Sequence, residues 1–336
     1  MIEAAHKRLE AAVAEGVVPG AVAVVGDAEH ASLVGAYGVT RIGGPAVTEA
    51  TRYDLASLTK VVGTLPAVLA LAEAGELSLD DPVRRFFSQA GWMQTPSLGD
   101  ATLRQLLTHT AGLPAWKPLF ALVSSRLTAL GNVLQTPLEH PAGRVVYSDL
   151  GFILLGATVE RVSGVTLDAF TQTHVFGPLG MTETAYGVPD GAVVAATEDC
   201  GWRGRLLEGD VHDETADVFG GVVGHAGLFG TARDLARYAQ AWLRLDAPFA
   251  SPERLREATR EHARGEAGRR ALGWLVSDGG DSATYGHTGF TGTSLYLNPA
   301  AGRFAVLLTN RVHPSRSCGE GIGALRAAFH GAVFGS

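Results

Sequence analysis

Three short groups of polar residues give this chain the chemical composition of a catalytic site. The first is Ser57 with Lys60, three positions apart, where a predicted strand gives way to a predicted helix. Residues at i and i+3 share one helix face, so the Ser57 hydroxyl and the Lys60 amine can meet. We expect burial to lower the pKa of Lys60, so that its amine accepts the proton of a nucleophilic Ser57. An ordinary helix cap is the alternative interpretation of Ser57.

The second group is Tyr147-Ser148-Asp149, directly before an apolar run that starts at Leu150. A phenol acts as a general base when neighbouring cations stabilise its phenolate. Tyr147 is therefore a candidate base. A single loop tyrosine is otherwise typical of an aromatic residue packed on the core.

The third group is His287-Thr288-Gly289-Phe290, directly before a predicted strand. A glycine such as Gly289 lets a substrate approach a strand edge closely. A backbone N–H beside it could pair with that of Ser57 to form an oxyanion hole. Taken alone, a segment of this composition is typical of a turn.

The elements that must position these groups follow from hydrophobic periodicity and from the Gly and Pro signals. Strands are predicted at 21–26, 31–37, 52–56, 271–277, 293–297 and 303–309. Helices are predicted at 2–15, 57–73, 102–109, 150–163, 166–175, 232–243 and 320–334. Strands at both ends with helices between them favour an α+β fold. We expect a sheet domain from 1–56 and 220–336, and a mostly helical insertion over 57–219.

Composition narrows the function classes. Apolar residues make up 46% of the chain and charged residues 18%, which indicates a packed globular protein. The net charge is −7 and no basic patch occurs, so a nucleic-acid partner is not expected. The chain has three lysines, Lys7, Lys60 and Lys117, so a lysine inside a motif rarely arises here by chance. Unlike arginine, lysine can be tuned to lose its proton near neutral pH.

Cysteine and histidine spacing predicts neither a disulfide framework nor a metal site. Cys200 and Cys318 are far apart and are expected to be unpaired thiols. Scattered His, Asp and Glu residues lack metal-ligand spacing. No apolar run reaches the roughly 18 residues of a membrane helix, and charges interrupt the first residues. We therefore expect a cytoplasmic protein with no membrane partner.

Together, the three groups resemble the motifs of the serine β-lactamase and DD-peptidase superfamily. They are most similar to class C β-lactamase-like hydrolases and esterases. Supporting stretches lie at 106–114, 178–181 and 224–229, and the similarity runs from about Pro19 to Phe334. The resemblance implies an antiparallel sheet flanked by helices, a mostly helical domain, and an active site in the cleft between the two. It implies no metal and no organic cofactor.

The resemblance also implies roles for individual residues. Ser57 would be the nucleophile, Lys60 its activator, and Tyr147 the group that takes and returns protons. The N–H groups of Ser57 and Phe290 would form the oxyanion hole. The residues expected to contact the substrate are Asp149, His287, Thr288, Gly289, Phe290 and Trp116.

Two positions depart from the family pattern. Asp149 stands where many lactam-hydrolysing relatives carry Asn, and an ionised carboxylate cannot donate a hydrogen bond to a substrate carbonyl. Asp149 could instead pair with Lys60, keep it charged and shift the proton-accepting role to Tyr147. His287 stands where β-lactamases commonly carry Lys. A largely neutral His would make recognition of a substrate carboxylate weaker or pH-dependent.

These features predict a serine hydrolase, most simply an esterase or amidase, that acts on a small-molecule ester, amide or D-amino-acid peptide. Short-chain esters come first, and a D-amino-acid peptidase or β-lactamase is the alternative. A second alternative is a catalytically weak protein that binds or senses β-lactams or peptides. A triad with His212 and Asp213 is disfavoured because Lys60 and Tyr147 make it unnecessary, although the loop 211–214 could line the rim of the cleft.

Overall fold

An eight-stranded antiparallel sheet organises the protein, which the computed structural model describes over residues 2–88, 97–277 and 283–335. In spatial order its strands are β2 (Ala31–Gly38), β1 (Gly20–Asp27), β13 (Arg303–Thr309), β12 (Ser294–Asn298), β11 (Tyr285–Thr288), β10 (Leu275–Val276), β9 (Gly268–Arg270) and β8 (Ala263–Gly265). Because β1 pairs with β13, segments from the two ends of the chain meet inside the sheet. The predicted α+β class and the predicted β1–β2 hairpin are confirmed.

Helices cover both faces of this sheet. On one face α1 (Ile2–Ala14) packs against α11 (Ile322–Phe334), and on the other α9 (Ala232–Arg244) lies across β1 and β13. Successive side chains of a strand point to opposite faces. In β1, Val24 accordingly joins the large core beneath α9, whereas Val25 joins the smaller core beneath α1 and α11.

The middle of the chain is mostly helical. Its helices are α2 (Leu65–Glu73), α3 (Leu103–Leu107), α4 (Leu119–Leu122), α5 (Arg126–Leu134), α6 (Asp149–Ser163), α7 (Leu167–Thr171) and α8 (Glu214–Val218), and α10 (Pro252–Thr259) follows α9. A small sheet joins β3 (Tyr53–Asp54), β7 (Leu228–Gly230) and β4 (Ala185–Tyr186), and β5 (Asp199–Cys200) pairs with β6 (Arg205–Leu206). The domain boundaries at 57 and 219 stay a prediction.

The helix predicted over 57–73 does not begin as regular α-helix. Its first full turns, Lys60–Thr64, are widened to the π-helical spacing, and regular α-helix starts only at Leu65. Pro66 lies at the start of α2 and has no N–H to donate to the preceding turn, which fits the change of spacing there. Such widened turns occur often at functional sites. The helix predicted over 166–175 likewise continues from α7 into a π-type turn, Gln172–Phe176.

The strand predicted over 271–277 is wrong in part. Only Leu275–Val276 is strand, and the apolar residues before it form a tight turn between β9 and β10. Gly273 has φ +76°, a left-handed conformation that favours glycine, and its N–H donates to the Leu107 carbonyl at 2.8 Å. Trp274 beside it is buried in the large core, where its ring contacts those of Trp242 on α9 and Tyr285 on β11.

In the described residues, one pair of neighbouring helical segments together has the length and apolar composition of a membrane span. No single helix in the described ranges is both long and apolar enough to cross a membrane. Helix α6 and the segment Leu167–Phe176 reach that composition only as a pair, with a bend of 77° between them. Phe152 and Phe170, one from each, are buried in the large core.

Two glycines let the loop before β7 touch helix α6 backbone to backbone. A Cβ added at Gly224 would lie 1.9 Å from the Phe152 carbonyl oxygen and 2.9 Å from the Gly156 nitrogen. The Gly224 carbonyl also accepts a hydrogen bond from the Thr64 hydroxyl at 2.7 Å. This contact fixes the loop against the helix that carries Lys60.

We predict that Gly224→Ala lowers the free energy of unfolding by about 1–3 kcal/mol, because the added methyl group overlaps backbone atoms that cannot move aside. Gly131→Ala is the matched control, since Gly131 lies in α5 with no atom within 4 Å of its added Cβ. That variant should be neutral or more stable by up to about 1 kcal/mol. Urea denaturation measures both, and equal stability of the two variants would contradict the prediction.

Candidate active site

The backbone before Ser57 is held in an uncommon conformation. Ala56 has φ +47°, a left-handed value that costs a non-glycine residue energy. The buried Asp54 carboxylate holds this turn by accepting hydrogen bonds from the Ala56 N–H at 2.8 Å and the His212 N–H at 2.7 Å. The turn presents the Ser57 hydroxyl at a cavity while Leu55 and Leu58 on either side are buried.

The Lys60 side chain is fully buried, and its amine has three acceptors. Nζ donates to Ser57 Oγ at 2.8 Å and to the His225 carbonyl at 3.0 Å, and it lies 2.7 Å from Asp149 Oδ1. Three acceptors match the three hydrogens of an ammonium group. The predicted contact between Ser57 and Lys60 is therefore present, with Lys60 as the donor.

The expected depression of the Lys60 pKa is wrong. Burial does act to lower the pKa of Lys60, but Asp149, helped by Tyr147, outweighs burial and the pKa is raised above 10.5. Lys60 is thus an ammonium near neutral pH and has no lone pair with which to deprotonate Ser57. The alternative weighed from the sequence, in which Asp149 keeps Lys60 charged, fits the structure.

Tyr147 lies beside the same cluster. The Lys60 amine is 5.1 Å from the centroid of the Tyr147 ring, and the Arg270 guanidinium is 5.3 Å from it. The rings of His109 and His287 lie at 4.6 and 5.8 Å. Two cations therefore face the candidate base, which stabilises negative charge on its oxygen.

His109 positions the segment that carries Tyr147. Its Nδ1 accepts a hydrogen bond from the Ser148 N–H at 3.0 Å, and its carbonyl accepts from the Val146 N–H at 2.9 Å. Burial, then Arg270 and Lys60, hold the pKa of His109 well below its usual value, so the ring is neutral. His109 therefore has a structural role, because it fixes the segment before α6.

Two backbone N–H groups are available for an oxyanion hole. Within the described residues, neither the Ser57 N–H nor the Phe290 N–H donates a hydrogen bond. Gly289 brings the two segments together, because a Cβ there would lie 2.5 Å from the Leu55 carbonyl and 2.1 Å from Thr293 Oγ1. The glycine is thus required by the approach of two protein backbones, and not only by substrate access.

His287 is buried beside Tyr147 and does not act as a titrating cation. Its Nδ1 donates to the Thr288 carbonyl at 2.8 Å. Burial, then Lys60 and Arg270, lower the pKa of His287 to about 3. The imidazole is therefore neutral throughout the physiological pH range, and the pH-dependent carboxylate recognition considered from the sequence is not supported.

The cavity beside Ser57 has a volume of about 470 Å³ and is lined on one side by cations. Arg270, Arg311 and Arg326 all line it, and none forms an ion pair with a carboxylate in the described parts of the chain. The remaining lining residues are Ser57, Tyr147, Leu275, His287, Thr288, Gly289, Phe290 and Ile322. This wall is suited to an anionic group, because Arg presents several donors in fixed geometry.

Trp116 and Asp149 do not line this cavity. Trp116 is 53% exposed, and its ring is 6.2 Å from that of Phe120, which in turn is 5.6 Å from that of Trp202. The backbone places Trp116 close to the site, since the carbonyl of the preceding Ala115 accepts the Asp149 N–H at 3.1 Å. Asp149 faces Lys60, so its carboxylate is a partner of the ammonium before it is a substrate contact.

The loop 211–214 supports the site from behind. His212 Nε2 lies 3.0 Å from Glu198, which also receives Arg316, and His225 Nε2 lies 3.0 Å from Asp213. The rings of His212 and His225 thus have carboxylate partners away from Ser57, which leaves the His–Asp triad unsupported. The His212 ring is buried and stacks on Phe290 at 5.6 Å, so it packs behind the candidate oxyanion hole, whereas Glu214 lines a separate hollow beside Phe120 and Trp202. The position of the loop 211–214 at the rim of the cleft stays a prediction.

Comparison with known proteins places this geometry in a family. The beta-lactamase family profile matches residues 5–328. The chain belongs to the beta-lactamase family. A putative D-alanyl-D-alanine carboxypeptidase of Escherichia coli K12 is 34% identical over an alignment of 312 residues, and the match covers 79% of this chain and 70% of the relative.

Solved structures share the beta-lactamase family fold over nearly the whole chain. A class C beta-lactamase from Rhodobacter sphaeroides has a TM-score of 0.79 at 21% identity and covers 99% of both chains. EstCE1, a hydrolase with promiscuous acyltransferase activity, has a TM-score of 0.78 at 21% identity, again over 99% of both chains. At this identity the likeness concerns the fold alone.

Sequence reasoning missed four residues of this beta-lactamase family site: Asp54, Arg270, Arg311 and Arg326. Asp54 had a local signal, because an Asp two positions before a turn residue commonly accepts the backbone N–H of that residue. Arg270 had none, since its place next to Tyr147 depends on the short strands β9 and β10, which the apolar run at 271–277 concealed. The two cysteines, by contrast, are unpaired as expected.

We predict that Asp149→Asn lowers the free energy of unfolding by about 2–4 kcal/mol at neutral pH, because it leaves a buried ammonium without its counter-charge. Since the folded-state pKa of Lys60 is raised above 10.5, the stability from this pair is complete below that pH and is lost as pH rises through the folded-state pKa.

The difference in unfolding free energy between wild type and Asp149→Asn should therefore be constant from about pH 6 to 9 and shrink above about pH 10.5. Asp246→Asn is the control, because it breaks the exposed pair with Arg244 and should cost less than about 1 kcal/mol. Equal losses in the two variants, or a difference unchanged at high pH, would contradict the prediction.

Proposed function

We propose that this protein is a serine hydrolase that forms an acyl-enzyme on Ser57, with Tyr147 as the group that moves protons. The observation that carries the proposal is the fixed charge of Lys60. An ammonium group donates to Ser57 Oγ at 2.8 Å, so the hydroxyl hydrogen of Ser57 is free to point elsewhere. Tyr147 is the remaining candidate base beside that hydroxyl, because burial, together with Arg270 and Lys60, lowers the pKa values of His109 and His287 and makes both imidazoles weak bases.

In the acylation step, the Tyr147 phenolate takes the proton of Ser57 as Oγ attacks the carbonyl carbon of the substrate. The oxygen of the tetrahedral intermediate becomes negative and is held by the N–H groups of Ser57 and Phe290. The bond to the leaving group then breaks, and Tyr147 returns its proton to the departing oxygen or nitrogen. Lys60 stays protonated and stabilises negative charge on Oγ.

Deacylation repeats the same transfers with water. Tyr147, again a phenolate, takes a proton from water as the water oxygen attacks the acyl carbon. Collapse of this second intermediate breaks the bond to Ser57 Oγ, and the proton on Tyr147 returns to Oγ. The acid product leaves, and the charge state of Lys60 and Asp149 is unchanged through the cycle.

The arginine wall supports a leaving group that carries a carboxylate. Because Tyr147 must reach the departing atom and also lines the cavity, the leaving group lies on the side of Arg311 and Arg326. Both arginines line this space, and each donates to backbone carbonyls of the 289–293 turn. This feature favours carboxylate-bearing amides and esters over the neutral short-chain esters that the sequence placed first.

The acyl part of the substrate then points to the opposite side of Ser57. The exposed rings of Trp116 and Trp202 flank the half-buried ring of Phe120, and the three form a continuous aromatic face. A face of this kind binds flat or apolar groups. We infer that the acyl group is larger and less polar than the leaving group.

A D-alanyl peptide fits the carboxylate requirement, and the Escherichia coli relative bears the name of a carboxypeptidase for such substrates. A β-lactam also carries a carboxylate and is the nearest alternative. The binding or sensing alternative differs from both, because it requires acylation of Ser57 without turnover.

We predict that Ser57→Ala lowers hydrolysis of p-nitrophenyl butyrate by about a thousand-fold or more, because no acyl-enzyme can form. Ser163→Ala, at the exposed end of α6, is the matched control and should keep full activity. A stoichiometric burst of p-nitrophenol followed by slow turnover would favour the sensing alternative. Equal rates in wild type and Ser57→Ala would overturn the proposal.

We predict that the wild type hydrolyses 3-carboxyphenyl butyrate with a kcat/KM about ten-fold or more above that for phenyl butyrate, since a charge-assisted hydrogen bond is worth about 1.5–3 kcal/mol. Arg326→Gln should remove most of this preference while Arg233→Gln, which breaks the exposed pair with Glu49, should keep it. The preference should also be flat from about pH 6 to 9, because the pKa of His287 is lowered to about 3.

If Arg326→Gln lowers kcat/KM equally for both esters, Arg326 only fixes the 289–293 turn, through its hydrogen bonds to the Gly289 and Thr293 carbonyls. Absence of any preference in the wild type would return neutral esters to first place.

A further inference from the structure

Two cations face Tyr147, and their charges are not equivalent. Lys60 is compensated, since Asp149 lies 2.7 Å from its amine and Asp213 also acts on it through space. Arg270 lies at nearly the same distance from the ring but has no carboxylate partner in the described residues. The uncompensated positive charge beside Tyr147 therefore belongs to Arg270.

Arg270 is buried at the end of β9, with 7% of its surface exposed. One of its nitrogens donates to the Ala267 carbonyl at 2.9 Å, whereas Nε is buried without a partner. Burial lowers the pKa of Arg270, and Tyr147 acts in the opposite direction. A buried cation without a counter-ion is costly, so its retention here points to a role that requires the charge.

The other groups around Tyr147 do not supply this charge. Within the described residues, the rings of His109, after α3, and His287, on β11, contact that of Tyr147, and both are neutral because burial, Arg270 and Lys60 disfavour their protonated forms. Asp149, on α6, faces Lys60 and partly cancels its field. His287, on β11, is therefore not the cation beside Tyr147. That cation is Arg270, at the end of β9.

We propose that Arg270 is a positioning residue for Tyr147, whose uncompensated charge stabilises the phenolate that accepts the proton of Ser57. The inference rests on the proposed function. The proton leaves Ser57 Oγ for the Tyr147 oxygen, the electron pair of Oγ forms the new bond to carbon, and Arg270 keeps its own protons throughout. Arg270 thus acts on the base through space and contacts neither the proton nor the reacting carbon.

The test uses p-nitrophenyl butyrate, a neutral ester with a leaving group that needs no protonation. Because this ester has no carboxylate, it cannot form an ion pair with Arg270, which lines the same cavity. We would measure kcat/KM from about pH 5.5 to 10 for wild type, Arg270→Met and Arg270→Lys. Arg269→Gln is the matched control, because its side chain lies on the same strand but points to the opposite face.

In Arg270→Met, the acidic limb of the kcat/KM profile should move up by about one pH unit or more, which lowers the rate about ten-fold at any pH below the limb. The loss should appear in kcat and shrink at high pH. Arg270→Lys should restore part of the shift, and Arg269→Gln should leave the profile in place. A limb unchanged in Arg270→Met, with wild-type unfolding behaviour, would overturn the inference.

A second measurement does not depend on the folding of the Met variant. The near-ultraviolet absorbance of tyrosinate, taken as wild type minus Tyr147→Phe, reports ionisation of Tyr147 directly. That signal should appear at lower pH in the wild type than in Arg270→Lys, and an identical titration in both would count against the inference.

The two proposals fail in different ways. Loss of activity in Ser57→Ala with an unmoved profile in Arg270→Met would remove only the role of Arg270. Activity retained in Ser57→Ala would remove the acyl-enzyme itself.

Discussion

One buried positive charge organises this protein. The Lys60 ammonium is fully buried, and three separate segments supply its acceptors: the turn at Ser57, the start of α6 at Asp149, and the loop at His225. Burying a charge is costly unless the charge is paired and hydrogen-bonded. The three segments must therefore meet around Lys60 for the fold to be stable, and that meeting also builds the candidate active site.

Other features serve the same requirement. The contact between Gly224 and α6 brings the His225 carbonyl within reach of Lys60, and Gly289 lets β11 approach the turn before Ser57. His109 and Asp54 tie down the segments on either side through backbone N–H groups. The strained Ala56 is held by these surrounding contacts, as is common where a nucleophile must be presented at a fixed angle.

The sequence allowed part of this arrangement to be predicted. The spacing of Ser57 and Lys60 was sufficient because an i, i+3 contact is local. The sign of the Lys60 pKa shift was not predictable from burial alone, because it depends on the distance to Asp149, which lies far along the chain. Arg270 was hidden for a similar reason: its neighbours are set by the pairing of short strands, and a turn at Gly273 interrupts the apolar pattern that suggested one longer strand.

The pairing of β1 with β13 affects the order in which the protein folds during its synthesis. Ala21 pairs with Thr309, so β1 cannot pair with its neighbour β13 until nearly the whole chain has been synthesised. Contacts between residues so distant in sequence close slowly and late. The helical middle, rich in local contacts, can form during translation, but β11, which carries the Phe290 turn, has no completed sheet to join until β13 has left the ribosome. The nascent chain therefore contains Ser57 from an early stage, but the two segments of the candidate oxyanion hole meet only near the end of its synthesis.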